Sequence, residues 1–179
     1  MNEMTRAHRL GGWLKRRGPR LLGELLLLLV IILAAEWFMT RDAARGTAPA
    51  FSAQTVAGES FDLRQFQGQP ALIYFWATWC PVCNAEKGTI DTLAEEYPVI
   101  TVAMQSGEAD AVRDHLKEAG VSFPAIADPN GRLSRDYGVT GVPAFFILDS
   151  RGDVAFVARG YTTGAGLRLR LMLADLVGF

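Results

Sequence analysis

The chain has 179 residues, half of them hydrophobic, with a formal net charge of −1. That is enough for one domain with a real core plus one appendage. The near-neutral total hides a basic end: Arg6, Arg9, Lys15, Arg16, Arg17 and Arg20 stand against Glu3 alone, whereas from Thr47 onward ten Lys and Arg face fifteen Asp and Glu, a balance of −5. A basic end invites a nucleic-acid reading, but this one lies directly before an apolar run. Membrane topology explains it better, so no nucleic-acid partner is expected.

In chain order, residues 1–20 are polar and basic, with glycine and proline breakers, and read as a cytoplasmic tail. Residues 21–39 read as a transmembrane anchor: 25–35 are uninterrupted apolar sequence, with Glu24 at headgroup level and Trp13 and Trp37 at the two interfaces. Lys and Arg on the N-terminal side keep that end in the cytoplasm and send the rest across the membrane. A cleaved signal peptide is the rival, because 25–35 also fits the length of its apolar region. No clear small-x-small cleavage site follows. A buried helix of a soluble protein is a weaker third reading.

Residues 40–49 are small and polar and read as a linker to a domain over 50–179. Two short strands, 51–56 and 60–63, flank a turn at Ala57-Gly58-Glu59. A connection over 64–70 leads to 71–77, a short apolar, aromatic-rich run that reads as a buried central strand. A helix is predicted over 81–97, with Pro81 at the first position, where its missing N–H costs nothing. Then come a strand at 99–104, a helix at 108–119 stopped by Gly120, and a strand at 123–127. A turn at 128–131, one helical turn at 133–137, a hairpin from 144–149 and 154–158, and an amphipathic closing helix at 166–177 complete the chain. The order is β-α-β-α-β-β-α behind an extra hairpin: an α/β fold, with a mixed sheet flanked by helices.

The chemistry centres on Cys80 and Cys83, the only two cysteines. A bond between them would close too small a loop to add much stability, so a structural staple is a weak reading. A strand that turns and opens a helix on Cys-x-x-Cys puts one thiol at the helix N-terminus. Unpaired N–H groups and the helix dipole there favour the thiolate, which attacks disulfides. Cys80, at the N-cap, is expected to be exposed and nucleophilic, with Cys83 shielded inside the first turn. Zinc would need more ligands, and the histidines His8 and His115 do not supply them. Copper(I) needs only two thiolates, so a copper-binding module is the alternative from another class.

The string Phe75-Trp76-Ala77-Thr78-Trp79-Cys80-Pro81-Val82-Cys83, with Gly141-Val142-Pro143 downstream, resembles thioredoxin-like proteins. It is most similar to membrane-tethered bacterial reductases of the TlpA, ResA and DsbE type, and among these to the ScsD branch of suppressor-of-copper-sensitivity systems. The resemblance implies a thioredoxin-like fold and a protein disulfide oxidoreductase that faces the periplasm from the inner membrane. Its substrates would be disulfides of exported proteins, in a copper-stress or cytochrome-maturation context. Its electron donor would be a membrane conduit of the DsbD or ScsB type. No cofactor is implied beyond the redox-active Cys80–Cys83 pair. The resemblance also implies a cis-proline at Val142-Pro143 that lends strand-like hydrogen bonds to substrate.

Two positions depart from that pattern. Ala144 stands where DsbE-type proteins of cytochrome c maturation carry an acid, and Tyr74 where thioredoxins place a strand aspartate. Trp76 is expected in the core and Trp79 beside the thiol, facing substrate. Glu86 continues the stripe Tyr97, Leu93, Ile90 back toward Cys83, so it should face the sheet, be desolvated, and exchange a proton with Cys83. The reductases named above carry a glutamate at this spacing. A solvated surface charge is the alternative for Glu86, and a strand-edge marker for Pro143.

Overall fold

A computed structural model of the chain describes residues 23–31, 34 and 43–177. The chain divides into two units, Met1–Arg41 and Asp42–Phe179. In the first, residues 23–31 and 34 are helical and exposed. No helix among the described residues is long and apolar enough to cross a membrane. The remainder of the segment expected as an anchor, and the basic tail, lie outside the described residues.

The second unit is built on a six-stranded mixed sheet in the order β1-β8-β7-β4-β5-β6. The strands are β1 (Gly46–Thr47), β4 (Ala71–Trp76), β5 (Val99–Met104), β6 (Ala125–Asp128), β7 (Ala144–Leu148) and β8 (Asp153–Arg159). A separate two-stranded hairpin pairs β2 (Ser52–Gln54) with β3 (Ser60–Asp62). β4 runs parallel to β5 and antiparallel to β7, so both of its edges are hydrogen-bonded. All six of its residues are buried, which is why it reads as an unbroken apolar run rather than an alternation.

Alternation still decides which face each residue serves. Leu72, Tyr74 and Trp76 join one core, with Ile90 and Leu93 of helix α1 (Pro81–Glu96), Val112 and Leu116 of α2 (Ala109–Ala119), and Leu167 and Leu171 of α4 (Gly164–Val177). Ala71, Ile73 and Phe75 join the other core, with Phe61, Leu63 and Leu133 of the short helix α3 (Arg132–Asp136). Fully burying a side chain such as Ile90 or Leu93 is worth about 1.5–3 kcal/mol. Two cores on one strand therefore fix β4, and with it the turn at its C-terminal end.

Three local outcomes differ from the sequence reading. Within the stretch 40–49, read as a linker, Gly46–Thr47 form β1 on the edge of β8, and Ala43 and Ala48 are buried. A two-residue edge strand is too short to show any periodicity, and the small residues that suggest a linker are the ones that pack closely. Leu63, read as the end of a strand, and residues 64–66, read as the start of a connection, form a 3-10 turn capped by Asp62, whose Oδ1 accepts the Arg64 N–H at 2.9 Å. The strand expected at 123–127 starts two residues later, because Phe123 follows a loop tied down by Asp91 Oδ1, which accepts the Ser122 and Phe123 N–H groups.

Candidate active site

β4 delivers the chain to residues 77–79, a turn held from below by the end of β5. The Thr78 N–H donates to Ser106 Oγ at 3.0 Å, and Ser106 Oγ in turn donates to the Met104 carbonyl. The Trp79 indole N–H donates to the Gln105 carbonyl at 3.1 Å. Gln105 reaches that position with φ at 47°, the left-handed region that non-glycine residues seldom enter. Gln105 and Ser106 had no signal in the sequence beyond lying where the loops after parallel strands gather around sites.

α1 starts at Pro81, with Cys80 as its N-cap in extended backbone, φ −90° and ψ 111°. Cys80 Sγ accepts the Cys83 N–H at 3.2 Å, so the sulfur fills a place usually taken by a Ser or Asp oxygen. The Cys80 carbonyl accepts the first helical hydrogen bond, from Asn84 N–H at 3.1 Å. Cys80 and Cys83 are joined as a disulfide, with Cα atoms 5.3 Å apart. Cys83 is fully buried.

The expectation that Cys80 is exposed fails: it is 4 % exposed. The Val142 carbonyl lies 3.8 Å from its sulfur, packed over it from the segment before β7. The sequence could not show this, since Val142 is 62 residues away. The Val142–Pro143 peptide is cis, as the resemblance implied. The Pro143 carbonyl accepts the Gly160 N–H at 2.9 Å, which ties the segment to the end of β8. Trp79, the residue before Cys80, is 57 % exposed, and Trp76 is buried with its indole N–H on Thr101 Oγ1 at 3.0 Å.

Glu86 lies on the inward face of α1, one turn beyond Cys83, and is 1 % exposed. Its Oε1 accepts the Thr162 N–H at 2.6 Å. Burial raises its carboxyl pKa above the ordinary value, and the Thr162 amide offsets part of that. Thr162 comes from the segment between β8 and α4, 76 residues away, and nothing in the sequence pointed to it. Lys87, beside Glu86, turns outward and meets His115 Nε2 at 3.2 Å.

Among the described residues no cluster of three or more His, Cys, Asp or Glu could hold a metal ion. What the arrangement offers is two sulfurs at a helix N-terminus, one behind the other, with a buried carboxyl one turn further along the inward face of the same helix.

The profile of the Redoxin family matches residues 43–167. A thioredoxin-like protein of Haemophilus influenzae is 31% identical over 157 residues, 87% of this chain and 93% of that protein. Thiol-disulfide oxidoreductase ResA of Bacillus thuringiensis is 31% identical over 120 residues, 65% of this chain and 69% of that protein. Among solved structures, MTB dsbF in its mixed oxidized and reduced forms superposes with a TM-score of 0.63 at 30% identity, covering 70% of this chain and 95% of that one.

Proposed function

The chain belongs to the Redoxin family and is a thiol–disulfide oxidoreductase, and from that premise we propose that it works as a reductase of disulfides in exported proteins, held at the bacterial inner membrane with its catalytic unit in the periplasm. The observation that carries the reading is the order of the two sulfurs. Cys80 caps α1, where helix amides favour a thiolate, and Cys83 sits behind it without access to solvent.

In the reaction, Cys80 thiolate attacks one sulfur of the substrate disulfide. A Cys80–substrate disulfide forms, and the other substrate sulfur leaves as a thiolate. Cys83 then gives its proton to the Glu86 carboxylate and attacks Cys80 Sγ. The Cys80–Cys83 bond forms, the second substrate sulfur leaves, and the Glu86 proton passes on to a released thiolate. Two electrons have moved from the dithiol to the substrate. Trp79 and the Val142-Pro143 backbone flank the Cys80 side and are assigned to substrate contact.

Exported compartments are oxidising, so a reductase there must be recharged. A membrane electron donor of the DsbD or ScsB type fits that need. The basic cluster before residue 21 supports the membrane setting, and the proposal extends to the copper-stress context that the motif string around Cys80 implies by its resemblance.

Trapping tests the assignment. Cys83→Ser should accumulate mixed disulfides through Cys80, and Cys80→Ser should accumulate none, read by mass spectrometry after thiol alkylation. Equal trapping by the two variants would overturn the nucleophile assignment. The reduction potential of the pair, set against that of the compartment, checks the direction of electron flow.

A further inference from the structure

Two polar atoms on the α1 side of the sheet are buried without a hydrogen-bond partner among the described residues: the Tyr74 hydroxyl and Glu86 Oε2. Tyr74 has no exposed surface. Its ring is stacked on Phe145 of β7, centroids 4.9 Å apart at 19°, so it cannot swing its hydroxyl out to water. Buried hydroxyl and carboxyl oxygens are rarely left unpaired in native cores, and buried water is held where such atoms face one space. The two groups also sense each other. Burial raises the Tyr74 phenol above its usual range, and the Glu86 charge raises it further.

We propose that Tyr74 is the positioning residue for Glu86: its hydroxyl pairs with Glu86 Oε2, directly or through one buried water, and holds the carboxyl beside Cys83 in both protonation states. This rests on the proton-acceptor role given to Glu86 above. The Thr162 amide can only donate, and it already serves Oε1. A carboxylate needs a donor on its second oxygen, and a carboxylic acid needs an acceptor. A phenol hydroxyl supplies both, because it donates through hydrogen and accepts through oxygen. Phenylalanine at 74 would supply neither. A second carboxyl at 74 would repel the first.

The Thr162 amide reaches Glu86 from the segment before α4, and Tyr74 lies on the same side of the sheet as α1. Cations on the neighbouring helices have other partners: Lys87 meets His115, Arg168 of α4 pairs with Glu96, and Arg170 donates to the Gly166 carbonyl. The proton itself moves as in the exchange scheme, from Cys83 Sγ to Glu86 when the Cys80–substrate bond breaks. Tyr74 takes no net proton.

The test uses the full chain with Tyr74→Phe, Glu86→Gln and the double variant. Two quantities are read between pH 5 and 9. One is the rate at which the mixed disulfide on Cys80 resolves, in single turnover with an aromatic disulfide. The other is the infrared carboxyl band of the oxidised protein, assigned to Glu86 by its loss in Glu86→Gln. Tyr74→Phe should move the Glu86 titration up by on the order of one pH unit, since a hydrogen bond to the charged form is lost. The acid limb of the resolution rate should move with it, costing about tenfold in rate below that limb. The double variant should resolve no more slowly than Glu86→Gln, because the two residues act as one unit. An unmoved carboxyl band in Tyr74→Phe, or additive rate losses, overturns the proposal. A wild-type resolution rate in Glu86→Gln with a band that still shifts in Tyr74→Phe overturns the proton-acceptor role instead and leaves the pairing standing.

Discussion

Glu86 is a carboxyl taken out of water with one firm donor, and its sign under titration follows from that. Because burial raises its pKa, the folded state holds the neutral form more easily than the charged one. The stabilising contribution is complete below the ordinary carboxyl value of 4.5 and is lost as pH rises through the raised value. Glu86→Gln has no proton to lose. Urea denaturation of the two proteins from pH 4 to 8 should therefore show the wild type losing ground to the variant across that window. The loss should be roughly 1.4 kcal/mol for each unit by which the pKa is raised. Parallel curves would mean that the carboxyl is solvated. The inward placement of Glu86 was legible because helical spacing from Ile90 and Leu93 runs through it to Cys83. Its partner Thr162 was not, because a backbone amide 76 residues away leaves no trace in local pattern. The burial of Cys80 was missed for the same reason: the covering group is the Val142 carbonyl, across the fold.

Elements were legible where one periodicity ran uninterrupted. β4 announced itself as an apolar run and α1 as a helix opening on proline, and both stand within a residue or two of the expected limits. Short pieces were harder. α3 has five residues, and its start depends on Asp128, the last residue of β6. The carboxylate of Asp128 accepts the Leu133 and Ser134 N–H groups and the Ser134 hydroxyl. Sequence alone showed an Asp-Pro-Asn-Gly turn there, not that its aspartate caps the following helix. Asp128→Ala would leave two helix-start amides and a buried hydroxyl unpaired. The expected cost is about 2–4 kcal/mol of unfolding free energy, read in denaturant. Because α3 packs on the face opposite Glu86, the exchange rate of the folded variant should stay near wild type. A stability change under about 0.5 kcal/mol would place the start of α3 under other control.

At the scale of the whole molecule, a mixed sheet flanked by helices followed from the alternation of apolar strands and helices, whereas the strand order and the edge strand β1 did not. The setting proposed for the catalytic unit, across a membrane, rests on the basic cluster that precedes residue 21. A reporter active only in the periplasm, fused after Phe179, should be active. One active only in the cytoplasm would reverse the topology. A mature protein that begins beyond Ala35 would replace the anchor with a cleaved leader. The covering of Cys80 by the Val142 carbonyl bears on the protein's durability. Peroxide drives thiolates to sulfinic and sulfonic acids in proportion to their exposure, and those products are not returned by thiol exchange. A sulfur lidded by the Val142 carbonyl, with its companion fully enclosed, offers such oxidants a small target. The segment proposed to contact substrate thus also covers the Cys80 sulfur against such oxidants.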